Sequence, residues 1–210
     1  MTIICLEGAS AVGKTTTAKE LSKISNTYIV PEVNLLFERP KDETKTWYLE
    51  RQLDRWQIAR DKQSEYDIVI LDGDLFQPLS YNWSFDFKIF NQSLDFIYEF
   101  YRKEISKGRI KFPDKYFYLY TSHHKLIYRK ENDKTRKRGN FEKHLEIIEP
   151  HKRYYEALNQ IKPQFVHLME ANKIEENIKV IMDNLPFSTQ NHISENVLDH
   201  IVEWLKKNKP

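Results

Sequence analysis

Only one cysteine is present, Cys5, inside the apolar run Ile3-Ile4-Cys5-Leu6. No disulfide framework can form within the chain, and a thiol in such a run reads as a small core hydrophobe rather than a nucleophile. An excess of charge of one sign is also nearly missing: 33 Lys and Arg against 31 Asp and Glu leave +2. No global basic field therefore calls for nucleic acid or an anionic membrane as partner, and any affinity for phosphate must be local. No window approaches the ~20 apolar residues of a membrane span. The N-terminus has neither a basic region nor an apolar stretch of signal-peptide length, so a cytoplasmic protein is the expectation. Internal repeats and low-complexity segments are lacking as well. What remains is a 210-residue chain, 40% hydrophobic and 13% aromatic, which suits one domain with a real core, or one domain with a small appendage.

Short β-branched or aromatic runs alternate with longer stretches of helical period, the pattern of a parallel sheet with crossover helices. Strands are expected at about 2–7, 27–31, 67–72, 115–121 and 164–169. Helices are expected at about 14–24, 43–65, 86–107, 123–132, 142–160, 174–184 and 193–207. This is an α/β fold of three layers, with a five-stranded parallel sheet flanked by helices. The run Asp67-Ile68-Val69-Ile70-Leu71-Asp72 has the continuous apolar character of a central strand buried on both faces. Near the C-terminus, Ile193, Val197, Ile201 and Leu205 repeat at one-turn spacing and form a docking face. The main domain is placed at 1–184, with 185–210 a C-terminal helical appendage packed on it.

The segment Gly8-Ala9-Ser10-Ala11-Val12-Gly13-Lys14-Thr15 fits G-x-x-x-x-G-K-[ST] in full, between an apolar strand and an amphipathic segment. Triphosphate binding needs closely spaced backbone N–H groups facing inward, and glycines let the loop approach the anion without side-chain obstruction. Lys14 would reach the β- and γ-phosphates as a point charge, and Thr15 would ligate Mg²⁺. The helix that opens with Lys14, Thr15 and Thr16 would present its positive end to the anion. ATP with Mg²⁺ is the expected cofactor pair. The chain has only five glycines, and none completes the D-x-x-G switch of a GTPase: the residue three before Gly73 is Ile70. Asn172-Lys173-Ile174-Glu175 has Glu where guanine reading by N-K-x-D needs Asp.

A carboxylate after the third strand is required to hold Mg²⁺, directly or through water. Asp72 and Asp74 flank Gly73; the strand end favours Asp72, while Asp74 reads equally as a solvated turn acid. Glu32 ends the second strand, Tyr28-Ile29-Val30-Pro31, taken as the neighbour of the P-loop strand. There it is either a surface turn residue or a carboxylate able to accept a proton from a substrate hydroxyl. Segment 129–138 holds six basic residues, Arg129, Lys130, Lys134, Arg136, Lys137 and Arg138, against Glu131 and Asp133. It is either a solvated face or an Arg-rich lid, at about 129–141, that folds over the nucleotide. Trp47, Tyr48, Gln52, Arg55 and Trp56 share one helix. Their aromatics either stack on a base or fill the core, and Gln52 could bond a base edge. For 76–83, pocket wall and core are equally open.

With those residues in place, the chain resembles the deoxynucleoside kinase and thymidylate kinase superfamily of P-loop kinases over about 2–184. The likeness lies in the order of motifs: P-loop, a Glu after the second strand, a long helix carrying Gln and Arg, an acidic strand end, then Thr121-Ser122 leading into an Arg-bearing helix. The resemblance implies a P-loop NTPase fold and transfer of the ATP γ-phosphoryl group to a small-molecule acceptor, a nucleoside or nucleoside monophosphate. It implies Glu32 as catalytic base, Gln52 as base reader beside Arg55 and Trp56, and Arg129 with Arg136 or Arg138 as lid arginines. Homodimer formation is left open. Two departures stand out: Asp72-Gly73-Asp74 lacks the arginine of the Glu-Arg-Ser or Asp-Arg-Tyr/His pattern, and Pro31-Glu32 reverses Glu-Pro. An antibiotic-type acceptor, or a nucleotide-driven switch with no second substrate, therefore stays as the alternative.

Overall fold

The computed structural model describes residues 1–89, 91–133, 141–186 and 194–210. Five strands form one parallel sheet: β1 (Thr2–Gly8), β2 (Thr27–Val30), β3 (Ile68–Asp72), β4 (Lys115–Tyr120) and β5 (Val166–Glu170), in the order β2-β3-β1-β4-β5. Side chains alternate across each strand, and the two faces of the sheet carry separate cores. Ile3, Cys5, Val69, Leu71, Tyr116 and Tyr118 point to one; Ile4, Leu6, Ile68, Ile70, Phe117 and Leu119 point to the other. Cys5 is a buried free thiol, as its apolar run implies, and burial pushes its pKa up.

The sheet order corrects one expectation. β2 does not neighbour the P-loop strand; it pairs with β3 alone, and β1 lies between β3 and β4. Burial explains the exchange: every residue of β3 is buried, whereas the middle of β2 is only half-buried. A strand apolar on both faces takes the interior position, and the less apolar one takes the edge.

The helices are α1 (Lys14–Ile24), α2 (Val33–Leu36), α3 (Trp47–Lys62), α4 (Gln77–Ser84), α5 (Leu94–Ser106), α6 (His123–Glu131), α7 (Phe141–Glu146), α8 (Ile148–Ile161), α9 (Ile174–Asp183) and α10 (Ser194–Lys207). Three of the long helices expected from period differ in the structure: 43–65 is α3, confined to Trp47–Lys62, and the other two are cut at their starts or divided. The stretch 86–107 begins with Asp86 and Phe87 at φ 52° and 55°, a left-handed turn that stops α4, and α5 starts only where Ser93 caps it through Phe96 N. The 142–160 stretch is two helices, α7 and α8. α10 is built into the larger core, with Val197, Leu198, Ile201, Val202 and Leu205 buried against α5 and α8. Trp204 packs on Trp83 at 5.1 Å, and the Trp83 indole donates to Asn208 O. Ile193 lies outside the described residues. Among the described residues, no helix is long and apolar enough to cross a membrane.

Candidate functional site

The P-loop joins β1 to α1 at the carboxyl ends of the strands. A Cβ on Gly8 would come 2.1 Å from the Leu119 carbonyl oxygen, so only glycine lets the loop leave β1 beside β4. Gly13, at φ 111°, turns the chain into α1. Gly8, Ala9, Ser10 and Lys14 line a cavity of about 640 Å³. Val12 instead packs in the core, next to Ala11, and Thr16 is exposed on α1. The Lys14 ammonium is folded back into the loop, donating to Gly8 O at 2.7 Å and Ala9 O at 3.4 Å.

Thr15 Oγ1 donates to Asp72 Oδ2 at 2.6 Å. Asp72 is buried, and its Oδ1 has no hydrogen-bond partner among the described residues. Burial pushes the Asp72 pKa up, while Lys14 and the Thr15 hydroxyl pull it back. A buried carboxylate oxygen without a donor, beside a Thr hydroxyl and a P-loop Lys, fits a cation. Among the described residues no group of three His, Cys, Asp or Glu is placed to hold a metal ion by itself, so a cation here would need ligands from water or phosphate. That suits Mg²⁺, which keeps waters and phosphate oxygens as ligands. Asp74 is no solvated turn acid. It is buried, accepting from Phe76 N, Tyr116 OH at 2.8 Å and Tyr155 OH at 3.0 Å, and burial beside Glu7 pushes its pKa up to about 7.

Glu32 lines the same cavity; it is the N-cap residue of α2, but its side chain makes no capping hydrogen bond. Although β2 is an edge strand, Glu32 reaches the crevice across β3: a Cβ on Gly73 would sit 3.7 Å from Glu32 Cγ. The helix α3 divides its candidates. Tyr48 and Arg55 line the cavity. Trp56 belongs to the core, and Gln52 is fully buried with its Oε1 taken by Arg55 Nη1 at 2.8 Å; neither lines the cavity. Arg129 donates to Val12 O at 2.7 Å and Ala171 O at 2.9 Å, so it braces the back of the P-loop. Arg136 and Arg138 lie outside the described residues.

The far wall comes from α4, α7 and α8. Helical period resolves the 76–83 stretch: Gln77, Pro78, Tyr81 and Asn82 face the cavity, while Phe76, Leu79 and Trp83 enter the core. Tyr48 OH donates to Gln77 Oε1 at 2.8 Å, and burial pushes the Tyr48 pKa up to about 12. Sequence reasoning missed Glu7, His144 and His151. Tyr81 OH and His144 Nε2 are 2.9 Å apart, and His151 touches Ser80 Oγ at 3.2 Å and Tyr118 OH at 3.4 Å. Burial, then Lys14, pulls the histidines down to about 4 and about 3, so both are neutral near pH 7. Two signals were available: a carboxylate closing an otherwise apolar strand, and two histidines seven residues apart in a stretch expected as one helix, a spacing that repeats on a helical face, although the structure sets them on α7 and α8.

Solved structures align with this arrangement over most of the chain. A deoxyadenosine kinase from M. mycoides with bound dATP matches 86% of this chain and 97% of its own at 20% identity, with a TM-score of 0.56. A thymidylate kinase from Candida albicans matches 90% of this chain and 96% of its own at 15% identity, with a TM-score of 0.58. The chain has the fold of P-loop nucleoside and nucleotide kinases. In this kinase fold the cavity lies at the carboxyl ends of the strands, where open α/β sheets hold ligands. No family model matches the chain, and no curated protein matches it in sequence.

Proposed function

We propose that the chain is a kinase that transfers the γ-phosphoryl group of ATP, with Mg²⁺, to a small-molecule acceptor, either a hydroxyl of a nucleoside or a phosphate oxygen of a nucleoside monophosphate. One arrangement supports this above all: the P-loop Lys14, Asp72 and Glu32 share a cavity with room beyond the phosphate end. The fold likeness to a deoxyadenosine kinase and a thymidylate kinase points to the same class of acceptor.

The triphosphate lies in the P-loop, where the ammonium of Lys14 exchanges its loop carbonyls for phosphate oxygens. Thr15 and Asp72 would hold Mg²⁺, which would supply positive charge to the triphosphate. With a nucleoside acceptor, Glu32 takes the hydroxyl proton as that oxygen bonds to the γ-phosphorus and the bond to the ADP oxygen breaks; a monophosphate oxygen is already ionised and needs no base. Tyr48, Gln77, Tyr81 and Asn82 give the acceptor end both ring faces and amide edges, which suit a flat heterocycle with donors and acceptors. Arg129 is committed to two carbonyls; by the resemblance, Arg136 and Arg138 are the lid arginines that would meet the charge developing on the transferred group.

Glu32→Gln keeps shape and removes basicity. Transfer should fall by about 10²-fold or more with ATP affinity preserved, the range for loss of a general base. A rate within about tenfold of wild type, the scale of one lost orienting hydrogen bond, would pass the role to Asp72. The acceptor is read from a panel of nucleosides, nucleoside monophosphates and aminoglycosides assayed with MgATP. Hydrolysis indifferent to every acceptor would replace the kinase with a nucleotide-driven switch.

A further inference from the structure

The β2–β3 ladder ends at the pair Val30 and Leu71. One residue further on stand Pro31, which has no N–H to continue the ladder, and Asp72; Glu32 follows Pro31. The two strand ends that carry the carboxylates of the site are therefore no longer joined by their own backbones. Arg55 fills this gap from α3. Its Nε donates to Pro31 O at 2.8 Å, and its Nη2 donates to both Asp72 O at 2.8 Å and Gly73 O at 2.9 Å. The remaining arm, Nη1, donates to Gln52 Oε1 at 2.8 Å, which sets the plane of the fork.

The other side of the same loop is pinned with matching economy. The β1–β3 ladder ends at Leu6 and Asp72, and Gly73 N donates to Leu6 O at 3.0 Å. Glu7 Oε2 then accepts from Asp74 N, and its Oε1 accepts from Gly8 N, each at 2.7 Å. Backbone groups of all three residues 72–74 are thus held by one buried guanidinium, one buried carboxylate and the neighbouring strand. Gly73 at φ 87° completes the turn. A planar guanidinium presents its donors in a fixed geometry, which an ammonium at the end of a flexible stem does not reproduce.

We infer that Arg55 is a positioning residue: it extends the β2–β3 pairing past its last backbone bond and fixes Glu32 and Asp72 at their working separation. It acts through those two carboxylates and does not hold the acceptor. The effect on catalysis rests on the kinase reading above; the clamp itself does not.

The test uses Arg55→Lys, which keeps charge and most of the volume, and Arg55→Gln, which loses both the charge and the fork. Each is measured for kcat, acceptor KM, MgATP affinity by calorimetry, and amide hydrogen exchange at Gly73 and Asp74. In Arg55→Lys, kcat should fall by roughly 10- to 100-fold, since a misplacement of about 1 Å costs on that order. Acceptor KM and MgATP affinity should stay within about threefold, as for loss of an interaction that acts in the transition state. Exchange at Gly73 and Asp74 should quicken in both variants, and Arg55→Gln should lose more kcat than Arg55→Lys. A rise in acceptor KM at constant kcat would overturn the inference and make Arg55 an acceptor ligand. Unchanged exchange at Gly73 and Asp74 in folded Arg55→Lys would overturn the clamp alone. An inactive wild type would overturn the kinase reading alone, and quickened exchange would then still establish the clamp.

Discussion

At the scale of single residues, the site is built from groups whose present partners are substitutes. Lys14 is held by loop carbonyls, and a carbonyl is a poorer partner for an ammonium than the charged oxygen of a phosphate. The side chain therefore contributes to the ligand more than to the fold. Lys14→Ala should abolish transfer and weaken triphosphate binding while circular dichroism keeps the wild-type spectrum. Loss of the folded spectrum would make Lys14 structural instead. Asp72 shows the complementary case, a buried oxygen without a donor among the described residues, which a cation would satisfy. Arg55 and Asp74 are the opposite: their polar atoms are occupied by the protein itself, and they shape the site from behind.

At the scale of elements, α10 and the basic segment after α6 carry separate expectations. Leu198 is fully buried on α10 within the larger core. Leu198→Ala should cost about 2–5 kcal/mol, read as a lower urea midpoint with a single transition. An unchanged midpoint would mean that α10 docks without joining the cooperative unit. In the basic segment, an arginine that meets charge only as the phosphoryl group moves acts on the transition state. The double variant Arg136→Ala, Arg138→Ala should lower kcat with little change in ATP affinity. Activity equal to wild type would return the segment to a solvated face.

For the whole molecule, the buried titrating groups set how stability responds to acid. His144 and His151 are held at about 4 and about 3 in the fold, against 6.5 for the unperturbed side chain. Between those values the unfolded chain binds the extra protons, so stability falls as pH falls. His167, also lowered by burial, acts in the same sense. Asp74 opposes them: it is raised from 3.8 to about 7, so the folded state holds its proton across that window and acid favours the fold. Burial also raises Asp72 and Asp114, which add to that side at the acid end. Two strongly lowered histidines outweigh one strongly raised carboxyl, so Tm should drop between pH 6.5 and pH 5. His151→Gln, which cannot take up that proton, should flatten the decline. A flat or rising Tm in the wild type over this range would contradict the balance.

What the sequence by itself determined is local in origin. The P-loop was legible because phosphate binding needs contiguous backbone N–H groups, and so writes its glycines, Lys14 and Thr15 at fixed spacing between a strand and a helix. The strands were legible because each is a short apolar run, which also placed Glu32 and Asp72 at strand ends. Only the tertiary structure decided that β3 lies between β2 and β1, that Trp56 faces the core, and that Asp74 turns inward to Tyr116 and Tyr155. It alone put Arg55 between two strand ends and His144 and His151 in the cavity wall. Those contacts join residues up to 81 positions apart. No local period records them, because they depend on which buried faces meet once the sheet order is settled.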